Sequence, residues 1–288
     1  MSKPDILSET HLLPHGSTRI RLAGPRTGPR VLLVHGMTYP IEVWEPLSKD
    51  LSGKGYHVAS FDLYGRGEAS WDGSPLSPAA LAEQAHAVFD VLDWQGAVSW
   101  ISLSNSDLVL TWAANQVPAR CSSLHFVAPS GFDRRLMNPR MGLASRLPGS
   151  TTWLGRRVQK NCVDRMQRHR NTLSPSMERR VGDIYERSVR LAEENEYFSN
   201  AVMSQIRHLP TDKEVHAQLE QLDQHSIPMF SLSFGEEQDS TDSGVIPFFD
   251  ALPKIQKKTL SKGSHMGLLE HSTEVGSWVL ESLHSAAK

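Results

Sequence analysis

The sequence predicts an α/β protein, a mostly parallel sheet flanked by helices and interrupted by a helical insertion. Three observations carry this. Strand-type and helix-type runs alternate through the first third of the chain. Val31–Val34 is a short, unbroken apolar run, the pattern of a strand buried on both faces. The rhythm stops after Pro129 and resumes at Pro228, so about 95 residues without a strand interrupt an otherwise regular alternation.

In order, Thr18–Ala23 alternates like a half-exposed strand and stops at Gly24-Pro25. Val31–Val34 and Tyr56–Phe61 follow as strands, with a short helix from Trp44 to Leu51 between them. Ser77-Pro78 supplies a cap and a first-turn proline for a helix over Pro78–Leu92. Ala97–Leu103 is the next strand, Ser106–Gln116 a helix, and Leu124–Ala128 a strand. Residues 131–225 are rich in Arg, Gln, Glu and Leu at helical spacing. After them come a strand at Pro228–Phe234, a helix near Val245–Leu252, a strand at Lys257–Leu260 and a helix at Thr273–His284. The expected organisation is a core of residues 1–130 and 226–288 carrying a helical cap of residues 131–225.

The chain has 288 residues, enough to bury a large core without disulfide staples. Its 30 basic and 32 acidic side chains nearly cancel, so no overall charge marks it for nucleic acid or an anionic membrane. Cys121 and Cys162 are the only cysteines, which fits a reducing compartment. The first residues lack a basic then apolar leader pattern, and no run of 18 apolar residues is present, so a soluble, cytoplasmic protein is expected.

Chemistry concentrates at strand ends. A nucleophile on a sharp strand-to-helix turn crowds the positions two before and two after it, which must be small. In Ser102–Ser106 only Ser104 passes, with serines at both positions. A plain helix cap is the other reading of such a serine. His35-Gly36 follows a buried strand, where one backbone donor of an oxyanion hole is supplied. The donors are then the N–H groups of Met37 and Asn105. His265 lies in the loop beyond the last strand, placed to act as general base. The acidic loop after Phe234 offers Asp239 to orient that histidine, with Asp242 and Glu237 behind it.

These residues, in the order serine, carboxylate, histidine, resemble the α/β-hydrolase superfamily over residues 18–130 and 226–284. Val31–Gly36, Trp44 and Asp62-Leu-Tyr-Gly-Arg-Gly-Glu-Ala-Ser70 look like its landmarks, as do Pro118 and Glu270. Two departures stand out. Serines replace both elbow glycines, and Gln238 occupies the usual place of the acid; relatives that take the acid from the preceding core strand make Asp133 a candidate. The resemblance implies a cap inserted after the sixth strand and a cofactor-free serine hydrolase acting on an ester, thioester, lactone or amide. The same triad serves acyltransferases and lyases, and the fold without the chemistry serves as a binding module.

Between Arg134 and Arg190 fourteen basic residues face four acidic ones. This is either a solvated helical face, balanced by Glu193, Glu194 and Glu196, or a field that steers an anionic or carrier-bound acyl substrate. Trp153, Tyr185, Tyr197, Phe198 and Met203 are candidates to line the pocket or to pack the cap itself. Gly65-Arg-Gly67 is only half of a dinucleotide fingerprint, and Pro14 breaks the helix that His11 and His15 would need to share a zinc ion, so neither cofactor is expected.

Overall fold

The computed structural model describes residues 7–130, 150–235 and 252–287. Eight strands form one sheet: β1 (Leu7–Leu13), β2 (Gly16–Ala23), β3 (Arg30–Val34), β4 (His57–Phe61), β5 (Val98–Leu103), β6 (Cys121–Val127), β7 (Met229–Phe234) and β8 (Gln256–Leu260). Their order across the sheet is β1-β2-β4-β3-β5-β6-β7-β8. The pairs of β2 with β1 and with β4 are antiparallel, and all the others are parallel, as expected.

Register brings the chemistry to one rim. Val34 pairs with both Phe61 and Ser102, and Ser102 pairs with Phe126. The loops after β3, β4, β5 and β6 therefore emerge side by side at the carboxyl ends of parallel strands, where α/β sheets bind ligands.

The helices on either side are α1 (Glu45–Gly53), α2 (Pro78–Val91), α3 (Ser106–Gln116), α4 (Ser150–Asn171), α5 (Pro175–Glu194), α6 (Phe198–Arg207), α7 (Asp212–Gln224), α8 (Gly267–Glu270) and α9 (Ser272–Ala286). The Ser77 hydroxyl accepts from the Ala80 N–H at 3.2 Å and caps α2, with Pro78 in its first turn. Successive strand residues point to opposite faces. Leu32, Val34, Trp100 and Phe126 pack with α2, α3 and α7, while Val31, Leu33, Ile101 and Val127 pack with α1 and α9.

The span from 150 to 225 holds four helices and, among the described residues, no strand. Its helices divide between the two faces. α7 packs on α3, where Asn115 Nδ2 donates to Gln218 at 2.8 Å, and Val215, Leu219 and Leu222 join the cluster under the sheet. Tyr185, Phe198 and Met203, from α5 and α6, join the opposite cluster with Tyr39 and Leu268. Part of the basic span is committed to ion pairs. Lys160 pairs with Asp164, Arg170 with Glu178, and Arg187 reaches Glu45 of α1 at 2.5 and 2.7 Å. Trp153 lies outside the described side chains.

Strand β1 escapes the sequence pattern. Ser8, Glu9, Thr10 and His11 carry no apolar alternation, because this edge strand is exposed for most of its length and held by its ladder to β2. The expected helix near Val245–Leu252 falls almost entirely outside the described residues. Cys121 and Cys162 are not bridged. No described helix is long and apolar enough to cross a membrane.

His125 on β6 is fully buried between the hydroxyls of Ser123 at 2.8 Å and Ser282 at 2.9 Å, and it stacks on Phe230. Burial pulls its pKa down to about 3. Between that value and the ordinary 6.5 the unfolded chain binds a proton that the native fold refuses. The stabilisation is complete above pH 6.5 and is lost as pH falls toward 3, at about 1.4 kcal/mol per pH unit. In urea unfolding from pH 7 to 4 this slope adds to that of His35, which burial also holds neutral, so His125→Gln should make the pH dependence shallower by about one proton; an unchanged slope contradicts the assignment.

Candidate active site

Ser104 follows β5 with φ +57°, a left-handed backbone in a residue with a Cβ. Such strain persists only when the surroundings impose it. Here the Ser104 N–H donates to the Val127 carbonyl at 2.9 Å, and its carbonyl accepts from Asp107 N–H at 3.2 Å as α3 begins. The turn lifts Ser104 Oγ out of the sheet toward the strand-end rim.

Ser102 and Ser106, the two small positions, are both fully buried. Ser106 does more than fit, because its hydroxyl donates to the His35 carbonyl. A glycine cannot make that bond, which ties the end of β3 to the start of α3. Gly36 completes the approach: a Cβ there would meet the Leu103 carbonyl oxygen and Ser104 Cβ at 3.2 Å.

Two polar groups reach the Ser104 hydroxyl. His265 Nε2 lies 2.8 Å from Ser104 Oγ across 161 residues of chain, and Ser130 Oγ, just past the end of β6, lies 2.8 Å away. When Ser104 donates its one proton to His265, Ser130 donates to Ser104. Glu270 fixes the histidine loop, accepting from Ser264 N–H at 2.8 Å and Ser264 Oγ at 2.5 Å. Arg180 of α5 donates to the Glu270 carbonyl at 3.1 Å, so the intervening helices also touch this loop.

His35 is fully buried and neutral, with burial the main cause of a pKa near 3. The Leu63 N–H donates to its Nε2 at 2.9 Å, so the proton sits on Nδ1, which donates to the Gly36 carbonyl at 2.7 Å. That carbonyl shares a peptide with the Met37 N–H. A hydrogen bond at one end of a peptide polarises the other end, so His35 makes the Met37 N–H a better donor. Neither the Met37 nor the Asn105 N–H donates to another group among the described residues.

Asp62 sits beside this loop and organises it. Its carboxylate accepts from Ile41 N–H and Glu68 N–H, each at 3.0 Å, and from Arg19 Nε at 2.9 Å. Burial pushes its pKa up to about 6 in spite of Arg19. Gly67 (φ +54°) lets the backbone close over that carboxylate, since a Cβ there would lie 2.2 Å from it.

Of the residues expected from sequence, Ser104 and His265 come together; Asn105 follows Ser104 in the chain, and Met37 follows Gly36, which lies against Ser104. Asp239, with Asp242, Glu237 and Asp133, lies outside the described residues. The sequence reading did not single out Ser130. Its only signal was its place just past the strand next to the elbow, where the search was for a carboxylate.

If Ser106 acts through its hydroxyl, Ser106→Ala strands a buried carbonyl and costs about 1–3 kcal/mol in urea unfolding. Unchanged stability would mean that only its small size matters.

No protein-family model matches the sequence, and no curated protein sequence does. Solved structures do match over nearly the whole chain. An enol-lactonase from Burkholderia xenovorans LB400 is 14% identical, with a TM-score of 0.73 over 96% of this chain and 100% of its own. A thermophilic esterase from Thermogutta terrifontis is 17% identical, with a TM-score of 0.75 over 99% and 100%. A structure from work on carboxylesterases of Nitrososphaera gargenis is 15% identical, with a TM-score of 0.75 over 97% and 99%. Sheet order, elbow and histidine loop agree with these likenesses: the chain has the α/β-hydrolase fold.

Proposed function

We propose that this protein is a cofactor-free serine hydrolase that cleaves a carboxylic ester or related acyl bond through an acyl-enzyme. The carrying observation is the 2.8 Å contact of Ser104 Oγ with His265 Nε2 at a strained turn. A binding module needs neither the strain nor the contact. Serine at this position rules out a carboxylate nucleophile at the elbow, and the lactonase and esterase activities named for the structural neighbours point to the same bond class.

In this reading Ser104 Oγ attacks the acyl carbon while its proton moves to His265 Nε2. The carbonyl π pair moves onto oxygen, and the resulting oxyanion is held by the Met37 and Asn105 N–H groups. Collapse breaks the bond to the leaving group, which takes the proton from His265. Water, deprotonated by His265, then attacks the acyl-enzyme and releases acid and Ser104. Asp239 orients His265 and stabilises its charged form. Oxyanion donors of this kind contribute about 2.7–4 kcal/mol each.

The span 131–225 acts as the cap, with α4 to α6 over the strand-end rim and α7 as its seam with the sheet. Its substrate is a small acyl compound, and the exposed Arg156, Arg165, Arg168 and Arg179 favour an anionic or carrier-bound one. The unbridged Cys121 and Cys162, both held protonated by burial, suit a reducing cytoplasm.

Intact-mass analysis after fluorophosphonate treatment tests this. The expected result is one adduct on the parent and none on Ser104→Ala; no adduct on folded parent protein contradicts it. With an activated ester, Asp239→Asn should slow turnover about 10²–10⁴-fold. Asp242→Asn, Glu237→Gln and Asp133→Asn should stay near the parent, and a collapse in one of these instead moves the acid there.

A further inference from the structure

Arg66, in the loop after β4, is fully buried, and no carboxylate among the described residues pairs with its guanidinium. It donates instead to three neutral oxygens: the Met37 carbonyl from Nε at 3.0 Å, the Tyr64 carbonyl from Nη1 at 2.8 Å, and Gln205 Oε1 from Nη2. Gln205, on α6, is itself buried. Arginine only donates, which fixes the amide: Oε1 faces Arg66, and Nε2 donates to Asn105 Oδ1 at 2.7 Å. α6 can come this close because Gly65 (φ +69°) has no side chain; a Cβ there would lie 2.3 Å from Ala201 Cβ.

One buried cation is thus bonded on one side to Met37 and, through Gln205, on the other to Asn105. These two residues bear the N–H groups assigned above to the oxyanion. They lie on separate strand-end loops, after β3 and β5, and among the described residues no hydrogen bond joins them directly. Burying a guanidinium without a carboxylate beside it is costly, because the lost hydration is not replaced by an opposite charge. Burial alone pulls its pKa down to about 9, so the charge is retained at neutral pH.

We propose that Arg66 and Gln205 are positioning residues for the oxyanion, a brace that keeps both donors aimed while a positive charge with no carboxylate partner among the described residues waits behind them. The inference rests on the serine-hydrolase reading. The negative charge that forms on the substrate oxygen is then the partner the guanidinium lacks in the resting state. Because Gln205 belongs to α6, the brace also ties the donors' aim to the seating of the cap.

The test is saturation kinetics of Ser104 phosphonylation by a fluorophosphonate, followed by intact mass, which needs no knowledge of the natural substrate. Arg66→Met removes charge and brace, Arg66→Lys keeps the charge, and Gln205→Glu hands the guanidinium a carboxylate. Arg66→Met should lower the limiting rate roughly ten- to a hundredfold, with the half-saturating concentration within about twofold of the parent. Arg66→Lys should recover part of that loss. Gln205→Glu should slow the limiting rate about tenfold while melting at or above the parent temperature, a combination that loss of packing does not produce. It also decides the matter if Arg66→Met does not fold. Parent protein that reacts, with Gln205→Glu and Arg66→Lys reacting at the parent's limiting rate, overturns the brace and leaves the hydrolase reading intact. Parent protein that takes up no label at Ser104 overturns that reading and the brace with it.

Discussion

The left-handed backbone of Ser104 is the constraint on which the rest of the site depends. A residue with a Cβ adopts φ +57° at a cost of order 1–3 kcal/mol, met here by what is packed around it. The Val127 carbonyl on β6 takes the Ser104 N–H, and Asp107 takes the Ser104 carbonyl. The Ser106 hydroxyl binds the His35 carbonyl, and the bare Gly36 backbone leaves room for the turn. The restraints come from β6, the first turn of α3 and the loop after β3, so the conformation depends on three neighbouring strand ends together. Its result is a hydroxyl raised above the strand ends, 2.8 Å from a histidine that the chain reaches only after its last strand.

Buried polar groups around the turn form a second layer. His35 and Arg66 both serve the Met37 segment but in different states. His35 is a neutral imidazole that polarises the Gly36–Met37 peptide, and Arg66 is a cation that grips the Met37 carbonyl. A low-dielectric interior strengthens both interactions, and it penalises the loss of either partner for the same reason. The Asp62 cluster holds the loop that carries Arg66, and Arg187 links that cluster's neighbour Glu45 to α5. The intervening helices are therefore fastened to the core at several points, among them Glu45, the Glu270 carbonyl, the Asn105 side chain that Gln205 reaches, and the Gly67 and Ala69 carbonyls that Asn195 reaches.

Most of the sheet was legible in the sequence because its central strands are buried on both faces. Runs such as Val31–Val34 have no competing pattern. Strand β1 was not legible, since its polar residues face solvent and its place comes from its ladder to β2, with only Leu13 reaching the core. Helix α7 shares its composition with α4 to α6, and only packing on α3 shows that it covers the sheet. At the site, Ser104 followed from a steric rule and His265 from its place in the chain order. Ser130 and Gln205 did not, because a serine after a strand or a glutamine on a helix carries no local signature; their roles exist only across 26 and 100 residues of chain. Ser106 was read for its size, and its hydrogen bond to the His35 carbonyl gives the serine a role that the glycine of the G-x-S-x-G pattern cannot fill.

The most direct measurement is a crystal structure of the protein carrying a phosphonate adduct on Ser104. The account predicts that the adduct's non-bridging oxygen lies 2.7–3.1 Å from the backbone nitrogens of both Met37 and Asn105, with Ser104 still left-handed. An adduct oxygen turned away from both nitrogens, or a Ser104 relaxed to negative φ with its Oγ turned away from His265, contradicts it.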